Sequence, residues 1–179
     1  MSSMDLSVVE GDITRPIPVA ADRQHVDAIV NAANRRMRGG GGVDGAIHAA
    51  AGPGLLEECV ERFPRGLATG QAGWTTGHRL PVRWVIHVVG PNYNAGETDR
   101  SLLVSCYRNA LAVADDIGAR TVAFPLVSAG IYGWPGQDAI AAAVDTLRET
   151  PSSVEAAVLV AFGRQVYDEI AAYLGPGLG

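Results

Sequence analysis

Cysteine is nearly absent: Cys59 and Cys106 are the two in a chain of 179 residues. Both fall on predicted helices among apolar neighbours, and no CxxC pair occurs. This excludes a disulfide framework and a zinc knuckle, and it points to a reducing, cytoplasmic setting. A basic surplus is also missing. The formal charge of −5 and a pI near 5.3 argue against a general nucleic-acid binder, which needs a basic face. No apolar run approaches membrane-spanning length. The opening MSSMDLSVVEGD lacks the basic start and long apolar core of a signal peptide. The expectation is a soluble cytoplasmic protein with no membrane partner. Low-complexity tracts, internal repeats and long linkers are missing too. Residues 1–179 are therefore expected to form one domain, long enough to bury a sizeable core.

Several chemical motifs are excluded next. No GK[ST] occurs, hence no Walker loop. Gly40-x-Gly42-x-x-Gly45 formally matches a dinucleotide fingerprint. Several residues separate it from the preceding strand, where the true turn is immediate, and no acid-ended strand follows at the required distance. Asp44 and His48 share a helix face, but a D-x-x-x-H pair without a third ligand does not make a metal site. No metal and no cofactor are expected.

What is present is an alternation of strands and helices in a chain that is 47% hydrophobic and 18% charged. Strands are predicted at Leu6–Val9, Val26–Ala32, Ala72–Gly77, Trp84–Val89, Thr121–Leu126 and Val154–Phe162. Helices are predicted over Val43–Ala51, Leu55–Phe63, residues 99–117, from Pro135 to about Thr150, and Val166–Leu174. Gly52-Pro53-Gly54 reads as a break, and Gly118 as a C-terminal cap. Such an order gives an α/β fold, a three-layer α/β/α sandwich. Its sheet is expected to be mixed, with the first run at an edge and 72–77 paired closely with 84–89.

Two strands end directly in glycine-rich loops, NAANRRMRGGGG and SAGIYGWPG. In open α/β sheets ligands bind beyond the carboxyl ends of strands, and backbone N–H groups before a helix suit phosphate. If both loops open on the same end of the sheet they form two walls of one cleft, and two facing loops suit a diphosphate. Asp44 stands two residues after the glycines, where its charge would oppose that anion. Taken singly, the neighbouring residues have ordinary structural readings. His48 reads as a packed helix residue, His87 as a structural strand residue, and His25 and His78 as loop residues. Trp74 and Trp84 read as filling core or helix–sheet contacts. Asn31 and Asn34 satisfy loop backbone groups on this reading, and Asp44 is a first-turn acid at a helix N-terminus. These readings leave unexplained the concentration of Asn31, Asn34, four glycines and Asp44 in one short segment.

That segment carries a family resemblance. Gly11-Asp12-Ile13-Thr14, Asn31-Ala-Ala-Asn34, Gly39 to His48, Thr76-Gly77 with Leu80-Pro81, Val85 to Pro91, and Phe124 to Pro135 occur in order over nearly the whole chain. The sequence resembles the macrodomains, more narrowly the MacroD-type ADP-ribosyl hydrolases. The resemblance implies a roughly six-stranded mixed sheet with ADP-ribose across its crest. Asp12 and the Ile13 backbone would meet the adenine, with Phe162 as its aromatic platform. Gly41, Gly42 and Val43 would line one diphosphate loop and Ser128, Ala129, Gly130, Ile131 and Tyr132 the other, Tyr132 closing over the distal ribose. Asn34 would hold that ribose, Asn31 would support the loop, and Asp44 would orient or deprotonate the attacking water, with His48 fixing its surroundings. Arg35-Arg36-Met37-Arg38 departs from the small and aliphatic residues common there, Ala129 replaces a frequent threonine, and Trp134 a common tyrosine. The three arginines either contact an acidic acceptor protein or are solvated.

The resemblance favours a hydrolase that removes mono-ADP-ribose from Glu and Asp side chains of proteins and deacetylates O-acetyl-ADP-ribose. A non-catalytic ADP-ribose reader is the alternative, since the loops, Asp12 and Phe162 serve both. Asp44 with Asn34 is the feature that binding alone does not require. An RNA- or poly(ADP-ribose)-binding module is disfavoured by the acidic charge.

Overall fold

The computed structural model describes residues 4–19 and 24–176. Strands β1 (Asp5–Glu10), β4 (Ala28–Ala33), β5 (Ala72–Thr76), β6 (Trp84–Val89), β7 (Thr121–Phe124) and β8 (Ala156–Ala161) form one sheet in the order β1-β8-β7-β4-β6-β5. Five strands run parallel and β5 is antiparallel to β6. The expected mixed sheet is present, with β1 at one edge. A separate ladder joins the two-residue strands β2 (Pro18–Val19) and β3 (Gln24–His25). His25, read as a loop residue, belongs to that ladder opposite Pro18.

Alternation along each strand divides the core between two faces. On one face Ile29, Val85, Ala123, Val158 and Val160 pack with Ile47 and Leu55 from α1 (Gly42–Ala51) and α2 (Pro53–Arg62). On the other, Ala28, Val30, Ile86, Val88, Val122, Phe124 and Leu159 pack with α3 (Arg100–Ile117), α4 (Gly136–Glu149) and α5 (Arg164–Leu174). Helix α3 buries Leu103, Cys106, Tyr107, Ala110, Leu111 and Ala114, a stripe at helical spacing. Asp99 caps its start by accepting from the Ser101 N–H, and Gly118 ends it in the left-handed conformation (φ 78°).

Two boundaries differ from expectation for identifiable reasons. Gly52 alone breaks α1 from α2. Pro53 and Gly54 belong to the first turn of α2, where a missing N–H costs nothing. Pro135 sits just ahead of α4, at its N-cap, and not within its first turn.

Because β1, β8, β7, β4 and β6 are parallel, their carboxyl ends share one crest. Gly11-Asp12, Phe162, the loop after Phe124, the loop after Ala33 and Gly90 therefore meet although they are far apart in sequence.

Candidate functional site

The crest carries a cleft of about 730 Å³. Asp12, Ile13 and Phe162 line one end. Asn34, Gly41, Gly42, Val43 and Asp44 line one wall, and Ser128, Ala129, Gly130, Ile131 and Tyr132 the other. Of the sequence-predicted residues, only Asn31 is outside the lining. It lies fully buried beneath Asp44.

The four glycines of the first loop are required for different reasons. Gly39 (φ 87°) and Gly42 (φ 62°) adopt backbone conformations that disfavour side chains. A Cβ at Gly40 would stand 3.1 Å from Asn34 Nδ2 and 3.2 Å from Asp44 Oδ2, filling the space between those two groups. A Cβ at Gly41 would stand 3.0 Å from Ile131 Cδ1, so the two loops approach each other here. Gly41 is also the N-cap of α1 and supplies no side-chain cap, which leaves first-turn N–H groups free for an anion. Gly45 has no room for a side chain, since its Cβ would meet the Gly40 carbonyl oxygen at 2.5 Å.

Asp44 is 4% exposed. Its Oδ1 accepts from Asn31 Nδ2 at 2.8 Å and faces His48 Nε2 at 3.5 Å. Its Oδ2 accepts no hydrogen bond from the described residues. Burial raises the Asp44 pKa above the ordinary carboxylate value, while the Asn31 bond and His48 oppose that rise. The geometry is that of a carboxylate fixed through one oxygen with the other free. His48 is packed beneath Gly39, as its bland reading holds, and also touches Asp44. Asn34 donates to the Gly39 carbonyl at 3.1 Å and accepts from the Arg36 N–H at 3.1 Å, so it shapes the loop as well as lining the cleft.

At the far end, Asp12 Oδ1 accepts from the Thr14 hydroxyl at 2.7 Å and the Thr14 N–H at 2.9 Å. The hydroxyl bond is the main cause of its lowered pKa. Its Oδ2 has no partner among the described residues. Phe162 is 84% exposed and Ile131 65% exposed, both above the cleft.

The second loop is braced by residues the sequence did not single out. The Val127 N–H donates to the buried Tyr107 hydroxyl at 3.0 Å. The Asn94 N–H and Nδ2 donate to the Tyr132 and Ile131 carbonyls, at 3.0 and 3.1 Å. Trp134 is buried edge-on to Tyr93 and donates to Asp138 at 2.9 Å, so the tryptophan substitution is accommodated by packing. Ser128 holds a positive φ of 67°.

The arginine cluster divides. Arg35 pairs with Glu97 at 3.1 Å, and Arg36 is exposed. Arg38 is half-buried and folds back onto the protein: its guanidinium donates to the Phe63 carbonyl at 3.0 Å, the Met37 carbonyl at 3.1 Å, and those of Cys59 and Pro64 at 3.4 Å. It fastens the glycine loop to the end of α2. His78 is likewise tied down, contacting Glu58 at 2.8 Å. Trp74 lies under the Arg62 guanidinium, and Trp84 packs partly on the core.

Burial pushes the Cys59 thiol up to about 11 and the Cys106 thiol up to about 12, which makes both inert as nucleophiles. Among the described residues no group of three or more His, Cys, Asp or Glu side chains could hold a metal ion. No helix among them is long and apolar enough to cross a membrane.

A mixed six-stranded sandwich with glycine loops and a buried acid at its crest is the macrodomain architecture. The Macro domain family model matches residues 30–143, and the chain belongs to that family. It is 49% identical over 174 residues to a macro domain-containing protein of Streptomyces nogalater, across 95% of this chain and 92% of that one. It is 47% identical over 146 residues to the ADP-ribose glycohydrolase MACROD2 of Xenopus laevis, across 80% of this chain and 32% of that longer protein. The Trypanosoma brucei macrodomain in complex with ADP-ribose is similar with a TM-score of 0.82 at 37% identity, covering 95% of this chain and 69% of that one.

Proposed function

We propose that residues 1–179 act as a single cytoplasmic macrodomain that binds ADP-ribose. It hydrolyses mono-ADP-ribose from Glu and Asp side chains of modified proteins, and deacetylates O-acetyl-ADP-ribose. The observation that carries the catalytic reading is the buried Asp44, fixed through Oδ1 with Oδ2 free beside Asn34 in the cleft wall.

In this reading the adenine lies on Phe162, with its amino group toward Asp12. The diphosphate lies between the free N–H groups at the start of α1 and the loop from Ser128 to Tyr132. Asn34 and Tyr132 hold the distal ribose. A water between Asp44 Oδ2 and the phosphate is oriented by the carboxylate and gives up its proton as it attacks the acyl linkage. The acyl group leaves as a carboxylic acid, and the ribose hydroxyl is regenerated. Burial, by raising the Asp44 pKa, makes it a stronger base than an ordinary surface carboxylate. The fixed approach of water, carboxylate and acyl linkage contributes further. No covalent intermediate is required.

The test is release of ADP-ribose from a protein mono-ADP-ribosylated on glutamate, comparing wild type with Asp44→Ala. Binding of free ADP-ribose is followed in parallel by calorimetry. Release by wild type, and its loss in a variant that still binds, supports the reading. Binding without release identifies a reader. Equal release by both proteins removes Asp44 from the chemistry. Asp12→Ala separately tests the pose, and unchanged affinity would refute it.

A further inference from the structure

Asp44 is held from below by a chain of buried polar groups that crosses three strands. Asn31 on β4 and His87 on β6 are register partners. Thr75 on β5 lies diagonally across from His87, since β5 pairs Gly73 with His87 and Thr75 with Val85. All three side chains are fully buried. They point to the α1 side of the sheet because they share the alternation of Ile29 and Val85. Asn31 Nδ2 lies 2.8 Å from Asp44 Oδ1 and 3.1 Å from His87 Nδ1. His87 Nε2 lies 2.9 Å from Thr75 Oγ1.

These contacts determine where the protons are. One amide nitrogen has two hydrogens, and it meets two acceptors only if His87 Nδ1 carries a lone pair. The imidazole is neutral, because burial pushes its pKa down to about 3. Its single proton therefore sits on Nε2 and is donated to the Thr75 hydroxyl. The other tautomer would set an imidazole N–H against an amide N–H. The reversed amide would set a carbonyl oxygen against the Asp44 carboxylate. Asn31 Oδ1 has no partner, so no contact on that side fixes the amide.

We propose that Thr75 and His87 are positioning residues: the Thr75 hydroxyl accepts the Nε2 proton and so supports the tautomer that the Asn31 amide requires, the Nδ1 lone pair holds that amide, and the amide fixes the Asp44 carboxylate. The kinetic consequence rests on the catalytic role proposed for Asp44, whereas the proton arrangement does not. Other titratable groups also act on the relay. His48 faces Asp44 at 3.5 Å, the Asp44 charge acts on Cys59 and Tyr132, and His48 and Glu58 act on His87. The experiment therefore alters none of them.

Nitrogen-15 spectra of histidine-labelled wild type are expected to show His87 protonated on Nε2 alone. Thr75→Val keeps the shape and removes the acceptor. It should fold, bind ADP-ribose within about twofold of wild type, and lose kcat by roughly tenfold to a hundredfold, the scale of a misplaced catalytic group. The acid limb of its kcat profile should move to higher pH, because the Asn31 bond opposes the rise of the Asp44 pKa. His87→Asn, whose side-chain oxygen replaces the Nδ1 acceptor, should keep more activity than His87→Leu. A wild-type His87 protonated on Nδ1 would overturn the proposal, as would Thr75→Val and His87→Leu with unaltered kcat and acid limb. If wild type releases no ADP-ribose, the proposed function fails on its own. Carbon-13 titration of the Asp44 carboxyl then decides the relay, since Thr75→Val must move it upward and an unmoved titration refutes the proposal.

Discussion

Replacing Arg38 by alanine tests whether this arginine belongs to the fold or to a partner surface. Its guanidinium makes two good contacts, to Phe63 and Met37 carbonyls at 3.0 and 3.1 Å, and two long ones at 3.4 Å. A hydrogen bond from a charged donor contributes about 1.5–3 kcal/mol. Arg38 is only half-buried, and its two good contacts do not add fully, so the loss is roughly 2–3 kcal/mol. At about 2–4 °C per kcal/mol for a chain of this size, the Tm falls by roughly 4–12 °C. Lysine offers one ammonium where the fork serves several carbonyls, so Arg38→Lys should recover less than half of the loss. ADP-ribose affinity should fall as well, because the loop running into Gly39 and Gly40 loses its anchor. Thermal scanning and calorimetry on both variants measure this. An unchanged Tm with weakened binding to a modified acceptor protein would refute the structural role and return Arg38 to the partner surface.

Three further outcomes are expected. Asp44→Asn should abolish release of ADP-ribose yet raise the Tm at pH 7. The carboxyl pKa is raised in the fold, so the stability it contributes is present below its unfolded pKa and lost as pH rises through the folded value. A Tm gain that persisted unchanged at pH 3 would contradict this. Gly45→Ala places a methyl 2.5 Å from the Gly40 carbonyl, so it should cost about 1–3 kcal/mol and weaken ADP-ribose binding, as urea unfolding and calorimetry would show. His87 is neutral in the fold with a pKa of about 3, against roughly 6.5 in the unfolded chain. Stability should therefore decline as pH falls between those values, with this residue contributing about 1.4 kcal/mol per pH unit. A His87→Asn variant with the same slope in denaturant titrations would show that His87 is not its source.

The sequence displayed the elements because each strand and helix carries its own periodicity. The apolar run into Asn31 and the small-residue helix from Val43 needed no tertiary information. The shared crest was legible only as a condition, that both glycine loops open on the same end of the sheet, and the parallel pairing of β4 with β7 meets it. Asp44 stood out by its conflict with an anion-binding loop. What the sequence hid depends on register. Asn31 and His87 are 56 residues apart, and only the pairing of β4 with β6 makes one amide serve both Asp44 and the imidazole. His87, read from its apolar strand as a structural residue, is indeed buried there, but nothing local shows what its nitrogens touch. Arg38 was obscured by its neighbours Arg35 and Arg36, which suggested a common surface. Its fold-back onto α2 follows from carbonyls at a helix end that only the three-dimensional path brings near. Tyr107 and Asn94 brace the second loop from elements with no motif of their own.

Phe162 and Ile131 stand in water above the cleft, 84% and 65% exposed. In colloidal terms these two side chains are an apolar spot on a molecule whose net charge of −5 opposes contact between its copies. Near pH 5.3, where that charge vanishes, or in molar salt, where screening shortens its reach to about 3 Å, that opposition is lost. On the proposed pose a base seated against Phe162 would cover part of that spot. On the proposed pose, ADP-ribose is expected to raise the solubility of the protein near pH 5.3.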